Sequence, residues 1–117
     1  MTRSLEDIVS DILEAAERIG ELVSQGKSVF TGNWEKSSAA AYELQKIGEA
    51  ARQLPPDDRQ RFPDVPWQDM IDMRHVFAHK YFQLDLELMW TNMSVSVPAL
   101  VAALSTGPDH PGTDDAR

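Results

Sequence analysis

The chain is 117 residues long, with 42% hydrophobic and 26% charged residues. That is the composition of one globular domain and excludes wholesale disorder. Nineteen acids against eleven Lys and Arg give a net charge of −8, which excludes a uniformly basic surface that coats nucleic acid by charge alone. There is no cysteine, so disulfides, Cys-ligated zinc, iron–sulfur clusters and thiol nucleophiles are excluded together.

The first residues, MTRSLEDIV, lead straight into an amphipathic pattern with no apolar leader run. No stretch approaches the roughly 18 apolar residues of a membrane span. A reducing, cytoplasmic location without a membrane is the expectation. Leu5, Ile8, Val9, Ile12, Leu13, Ala16, Ile19, Leu22 and Val23 recur at helical steps, one stripe of an α-helix. Ser4 with Asp7 has the form of a capping box, and Gly26 is the expected stop. Ser28 to Asn33 reads as a turn anchored by Phe30.

A second helix is predicted from about Trp34 to Leu54, with Ala40, Ala41, Leu44, Ile47, Gly48, Ala51 and Leu54 on its buried stripe. Gly48 inside a helix costs about 1 kcal/mol relative to Ala, which points to close approach of another element there. Pro55 and Pro56 stop the helix. The polar segment 57–66 allows a single turn around Arg59 to Phe62. Pro66 suits the first position of a third helix, which places Trp67, Met70, Ile71 and Arg74 on one face and reaches about His79.

Phe82 to Leu84 is a connector. Asp85 caps a fourth helix carrying Leu88, Met89, Trp90 and Met93, which Pro98 should break or kink near Val97, with Ala99 to Leu104 open to continuing beyond. Residues 105–117 have almost no apolar content, three Asp and one Arg, and read as a disordered acidic tail. No alternating β-branched segment suggests a strand. The expected fold is an all-α, antiparallel bundle of four to five helices over residues 1–104.

Residues with chemistry concentrate in MRHVFAHKYF, positions 73–82. His75 and His79 stand four apart and can face one metal ion, but a third ligand at a recognised spacing is missing, since Asp72 and Asp85 do not supply it. The other reading is phosphate chemistry without metal. Arg74 offers a planar fork for phosphate, and His79 can move a proton near neutral pH. RNA carries its own nucleophile, so an Arg and a His suffice for a minimal ribonuclease. On a straight helix Arg74 and His79 lie about 140° apart. Either the helix ends or distorts near Ala78, or a two-fold dimer brings two copies of the pair together; the dimer is favoured. The plainer reading pairs Arg74 with Asp69, Asp72 or Asp85 and packs Tyr81 and Phe82 as core or interface aromatics.

Arg74, His79 and Tyr81, spaced Arg-x4-His-x-Tyr, resemble the signature of the HepT-like toxins of the HEPN superfamily. Ile47-Gly48-Glu49-Ala50-Ala51, Val65-Pro66-Trp67 and the series Phe82, Asp85, Trp90 are similar to further segments of that family. The resemblance spans about residues 5–104. Two positions depart from it: His75 follows the Arg where Asn is usual, and Lys80 stands where Gly is frequent.

The resemblance implies a dimeric, cytoplasmic, prokaryotic ribonuclease without metal or cofactor, acting on RNA such as tRNA or mRNA as the toxin of a toxin–antitoxin pair. His79 would be the general acid/base and Arg74 the phosphate holder. His75 would assist by orientation or a second proton transfer, and Lys80 would help bind RNA. Tyr81 would contact substrate and accept AMP from an MntA-like nucleotidyltransferase antitoxin, which blocks the site by charge and bulk. The acidic chain then needs a local basic patch: Arg74, Lys80 and His75, extended by Arg52, Arg59 and Arg61. Two rivals stand beside this. One is a non-catalytic partner subunit of a nucleotidyltransferase complex. The other is a nucleotide- or metal-binding helical module using His75 and His79.

Overall fold

A computed structural model describes residues 3–75, 77–78 and 83–105. The first helix, α1, spans Leu5–Ser24, and the Ser4 hydroxyl accepts a hydrogen bond from the Asp7 amide at 3.0 Å. Ile8, Ile12, Ala15, Ala16 and Ile19 are buried along it. Leu13, assigned to the same stripe, is instead exposed at its edge. Gly26 has φ of 100°, a backbone conformation open to glycine at no steric cost, and it turns the chain two residues past the helix. The segment expected to be a plain turn contains a one-turn helix, α2, Lys27–Thr31. Phe30 within it is buried and packs on Trp90 with ring centroids 5.6 Å apart.

Helix α3, Trp34–Gln53, lies where the pattern places it. Its cap is Asn33, whose side chain accepts from the Glu35 and Lys36 amides at 2.9 and 3.1 Å. Ala40, Ala41, Leu44, Ile47, Gly48 and Ala51 form the buried face, and small side chains let α3 lie closely along α1. Pro56 opens a short helix, α4, Pro56–Gln60, a few residues before the predicted turn because proline is preorganised for a first helical position.

Helix α5 is Trp67–Asp72, with Pro66 just before it rather than inside it. It stops at Asp72, well short of the predicted His79. The amides of Met73, Arg74 and His75 bond back three residues, to Met70, Ile71 and Asp72, at 3.0, 3.2 and 2.9 Å. This tightened last turn winds the helix down. Beyond it, Phe77–Ala78 pairs antiparallel with Gln83–Leu84, with Phe77 opposite Leu84. Two residues a side are too few to show the alternation by which strands are read from sequence.

Asp85 caps α6, Leu86–Thr91, through its carboxylate and the Leu88 amide at 3.1 Å. Pro98 does not break the chain's last helix. A π-helical stretch, Asn92–Ser96, lies immediately before α7, Val97–Ser105, and the helix runs on through all three. Proline has no N–H to donate and its ring presses on the carbonyl four residues back; the wider turn accommodates both. Leu86–Ser105 is by length and composition apolar enough to cross a membrane, contrary to the expectation from run length. Met89, Met93, Val97, Leu100 and Leu104 on it are buried in the core.

α1 packs against α3 and against the π-helical and α7 segments, while α5 packs on α3. The chain is thus an all-α bundle. Residues 106–117 lie outside the described residues, as do His79, Lys80, Tyr81 and Phe82.

Candidate active site around Arg74

Arg74 sits just past the end of α5, in the tightened turn. Its backbone and the first part of its side chain rest on Gly48 of α3. A Cβ built at Gly48 would stand 2.6 Å from Arg74 Cγ, 2.8 Å from the Arg74 amide nitrogen and 3.0 Å from the Ile71 carbonyl. The close approach inferred from a helical glycine is this contact. Arg74 Nε donates to the Ile71 carbonyl at 3.1 Å, which satisfies a helix-end acceptor and fixes the stem of the guanidinium.

Glu49 flanks the same guanidinium, with Oε1 4.0 Å from Arg74 Nη1. None of the three aspartates considered from sequence makes an ion pair with Arg74 among the described residues. Glu49 Oε2 also accepts from Arg52 Nε at 3.0 Å and from Arg52 Nη2. The hydrogen bond from Arg52, helped by the charges of Arg52 and Arg74, holds the Glu49 carboxyl below its ordinary range. The same contact raises the Arg52 guanidinium.

Tyr42, Gln45, Lys46 and Glu49 of α3 join Arg74 around an open cleft of about 290 Å³. Tyr42 is 62% exposed. Lys46 Nζ lies 5.2 Å from the Tyr42 ring centroid and 3.3 Å from Glu43. The cleft therefore offers a planar cation, an ammonium, an amide and an aromatic face, the groups that bind a phosphate and the base attached to it.

His75 is exposed beside Arg74, its amide bonded to the Asp72 carbonyl. His79, Lys80 and Tyr81 lie outside the described residues, so their distances to Arg74, and the His75–His79 pair, are not given by the structure. Among the described residues no three His, Asp or Glu gather as a metal site. The proposed extension of the basic patch needs correction. Arg52 does stand beside Glu49. Arg59 turns back to the end of α3, donating to the Leu54 and Arg52 carbonyls at 3.0 and 3.3 Å, so it serves as a helix cap. Arg61 lines a separate groove with α1 and Leu104.

Tyr42, Gln45 and Lys46 were not singled out from sequence. The available signal was an aromatic off the apolar stripe of α3, one turn before a lysine. The segments carrying the family resemblance have concrete roles. Gly48 and Glu49 seat Arg74. Trp67 donates its indole N–H to the Arg59 and Phe62 carbonyls at 2.9 and 3.1 Å and meets Phe62 edge-on, so it locks the entry to α5.

A family model described as "Ribonuclease HepT-like" matches residues 12–106. A protein of Methanocaldococcus jannaschii named "Putative RNase MJ1380" is 34% identical over 99 residues, covering 84% of this chain and 91% of that protein. A Thermococcus cleftensis protein named "Probable ribonuclease HepT" is 33% identical over 101 residues, covering 86% and 92%. A third relative, from M. jannaschii, is named "Gamma-glutamylcyclotransferase and putative RNase MJ0434"; it is 29% identical, and the match covers 46% of its length. No solved structure matches the chain. With a match over most of its length, this chain belongs to the ribonuclease HepT-like family.

Proposed function

We propose that the protein is a metal-independent endoribonuclease and the toxin of a toxin–antitoxin pair. The observation that carries this reading is the placement of Arg74. Its stem is fixed by Gly48 and the Ile71 carbonyl, and its guanidinium borders an open cleft. A fixed guanidinium at a solvent-open cleft is suited to hold a phosphodiester and stabilise the charge that grows on it.

In this mechanism His79 takes the proton from a ribose 2′-OH. The 2′ oxygen forms a bond to phosphorus while the bond from phosphorus to the 5′ oxygen breaks. The departing oxygen takes a proton from a second acid, a role suited to His75. The products are a 2′,3′-cyclic phosphate and a 5′-hydroxyl, and no water is consumed. Lys80 and Tyr81 bind the strand. AMP transferred by a partner nucleotidyltransferase to Tyr81 adds a charged, bulky group that repels phosphate and silences the site. A two-fold dimer would double the basic groups that this acidic chain needs near RNA.

The test is an oligonucleotide that is deoxyribose except for one ribonucleotide. Cutting only at that residue, leaving a 2′,3′-cyclic phosphate, is the expected outcome. Equal cutting of an all-deoxy strand overturns the mechanism. Incubation with ATP and the partner enzyme should add one AMP to wild type and none to Tyr81→Phe.

A further inference from the structure

We propose that Tyr42, Gln45 and Lys46, on the outer face of α3, form a nucleobase subsite beside Arg74, which takes one unpaired RNA base stacked on the Tyr42 ring. This rests on the ribonuclease reading above and adds a substrate class to it: single-stranded RNA held by stacking, at a helix outside the Arg-to-Tyr motif.

Tyr42, Gln45, Lys46 and Glu49 are spaced three, four and seven along α3, so they share one face. That face is turned away from the buried stripe of Ala41, Leu44 and Ile47. A single exposed aromatic is ordinary on a protein surface. Tyr42 differs because it lines the same cleft as Arg74. Lys46 Nζ covers one side of its ring at 5.2 Å, which orients the ring, and its 62% exposure leaves area for a ligand.

The groups that line the cleft suit an unpaired nucleotide. Tyr42 presents a π face to a base. Gln45 presents both a donor and an acceptor to a base edge. Arg74 presents positive charge to a phosphate, and Lys46, paired at 3.3 Å with the buried Glu43, adds a second cation to the same cleft. Glu49 occupies one edge of Arg74 and is itself neutralised by Arg52. A base in a duplex has both faces covered by its neighbours, so this arrangement favours unpaired RNA.

The experiment is steady-state cleavage of a single-stranded RNA oligonucleotide and of the same sequence in a duplex. Wild type is compared with Tyr42→Phe, Tyr42→Ala and Lys46→Ala, with a thermal melt of each variant. The expected result for Tyr42→Ala is a rise in KM of roughly tenfold, with kcat kept, the melting temperature unchanged and a different base preference beside the cut. Tyr42→Phe should behave as wild type, Lys46→Ala should raise KM, and the duplex should be the poorer substrate.

If wild type cuts and Tyr42→Ala cuts with the same KM at the same positions, the subsite is overturned and the nuclease reading stands. If Tyr42→Ala changes the sedimentation coefficient and leaves KM alone, the ring belongs to a protein contact and the subsite is overturned. A wild type that neither cuts nor binds the strand overturns both readings.

Discussion

Gly48 of α3 lies directly beneath Arg74: a methyl group at position 48 would come within 2.8 Å of the Arg74 amide nitrogen and within 2.6 Å of its Cγ. Real Cβ atoms do not approach backbone this closely, so the turn after α5 would have to move. Alanine is the better helix former by about 1 kcal/mol, yet overpacking of this kind costs about 1–3 kcal/mol. Gly48→Ala should therefore destabilise the protein by about 1 kcal/mol and lower activity more than stability, since the displaced element carries Arg74. Denaturant unfolding beside a cleavage assay checks this. A variant more stable than wild type with full activity would contradict the role given to Gly48.

Arg74→Lys keeps the charge and discards the fork. Lysine cannot reproduce the Nε bond to the Ile71 carbonyl or hold a phosphate through two parallel donors. The expected loss in kcat/KM is roughly 10²-fold, with a stability loss of about 1 kcal/mol from the missing hydrogen bond.

The Glu49 carboxyl is held below its ordinary range by the Arg52 hydrogen bond and by the charges of Arg52 and Arg74. A group with a lowered pKa contributes its contact above its ordinary titration range and loses it only as pH falls through the lowered value. Glu49 therefore stays ionised beside Arg74 throughout the mildly acidic range. The acid limb of kcat/KM should be set by the histidine base, which must be neutral to accept a proton. Glu49→Gln should leave that limb where it is. A pH profile whose acid limb moves in Glu49→Gln would assign the limb to the carboxylate.

Trp67→Phe keeps the edge-on ring contact with Phe62 and removes the indole N–H. The Arg59 and Phe62 carbonyls then lose a donor they share, at an expected cost of about 1–2 kcal/mol, measured by thermal unfolding. Because α5 delivers Arg74, a modest loss of activity should accompany it.

Much of the fold was legible because its signals are local. Ser4 and Asp85 are caps, the stripes of α1 and α3 have a 3.6-residue period, and Pro55 ends α3; each works over a few residues. The end of α5 was not legible in the same way. No proline or glycine stands within ten residues after Asp72, and the helix stops because the amides of Met73 to His75 bond back three residues while Arg74 rests on Gly48, a residue 26 positions earlier in the chain. Near Pro98, where a break or a kink is expected, the helix widens into a π-helical stretch over Asn92–Ser96 and continues, which relieves the clash that a local rule treats as a break. In the site, the motif pointed to Arg74 and to the glycine near it. Glu49 as its neighbour, and Tyr42 and Lys46 across the cleft, depend on how α3 and α5 pack. Arg59 shows the converse, a cation suited by composition to a basic patch but turned by packing into a helix cap.

The central claim is that RNA is cut without metal by a histidine acting with Arg74. The most direct measurement is RNA cleavage in EDTA by purified protein whose mass shows no modification, beside His79→Ala and Arg74→Ala. Cutting should survive EDTA and be lost in both variants. Cutting abolished by EDTA, or retained in either variant, would contradict it.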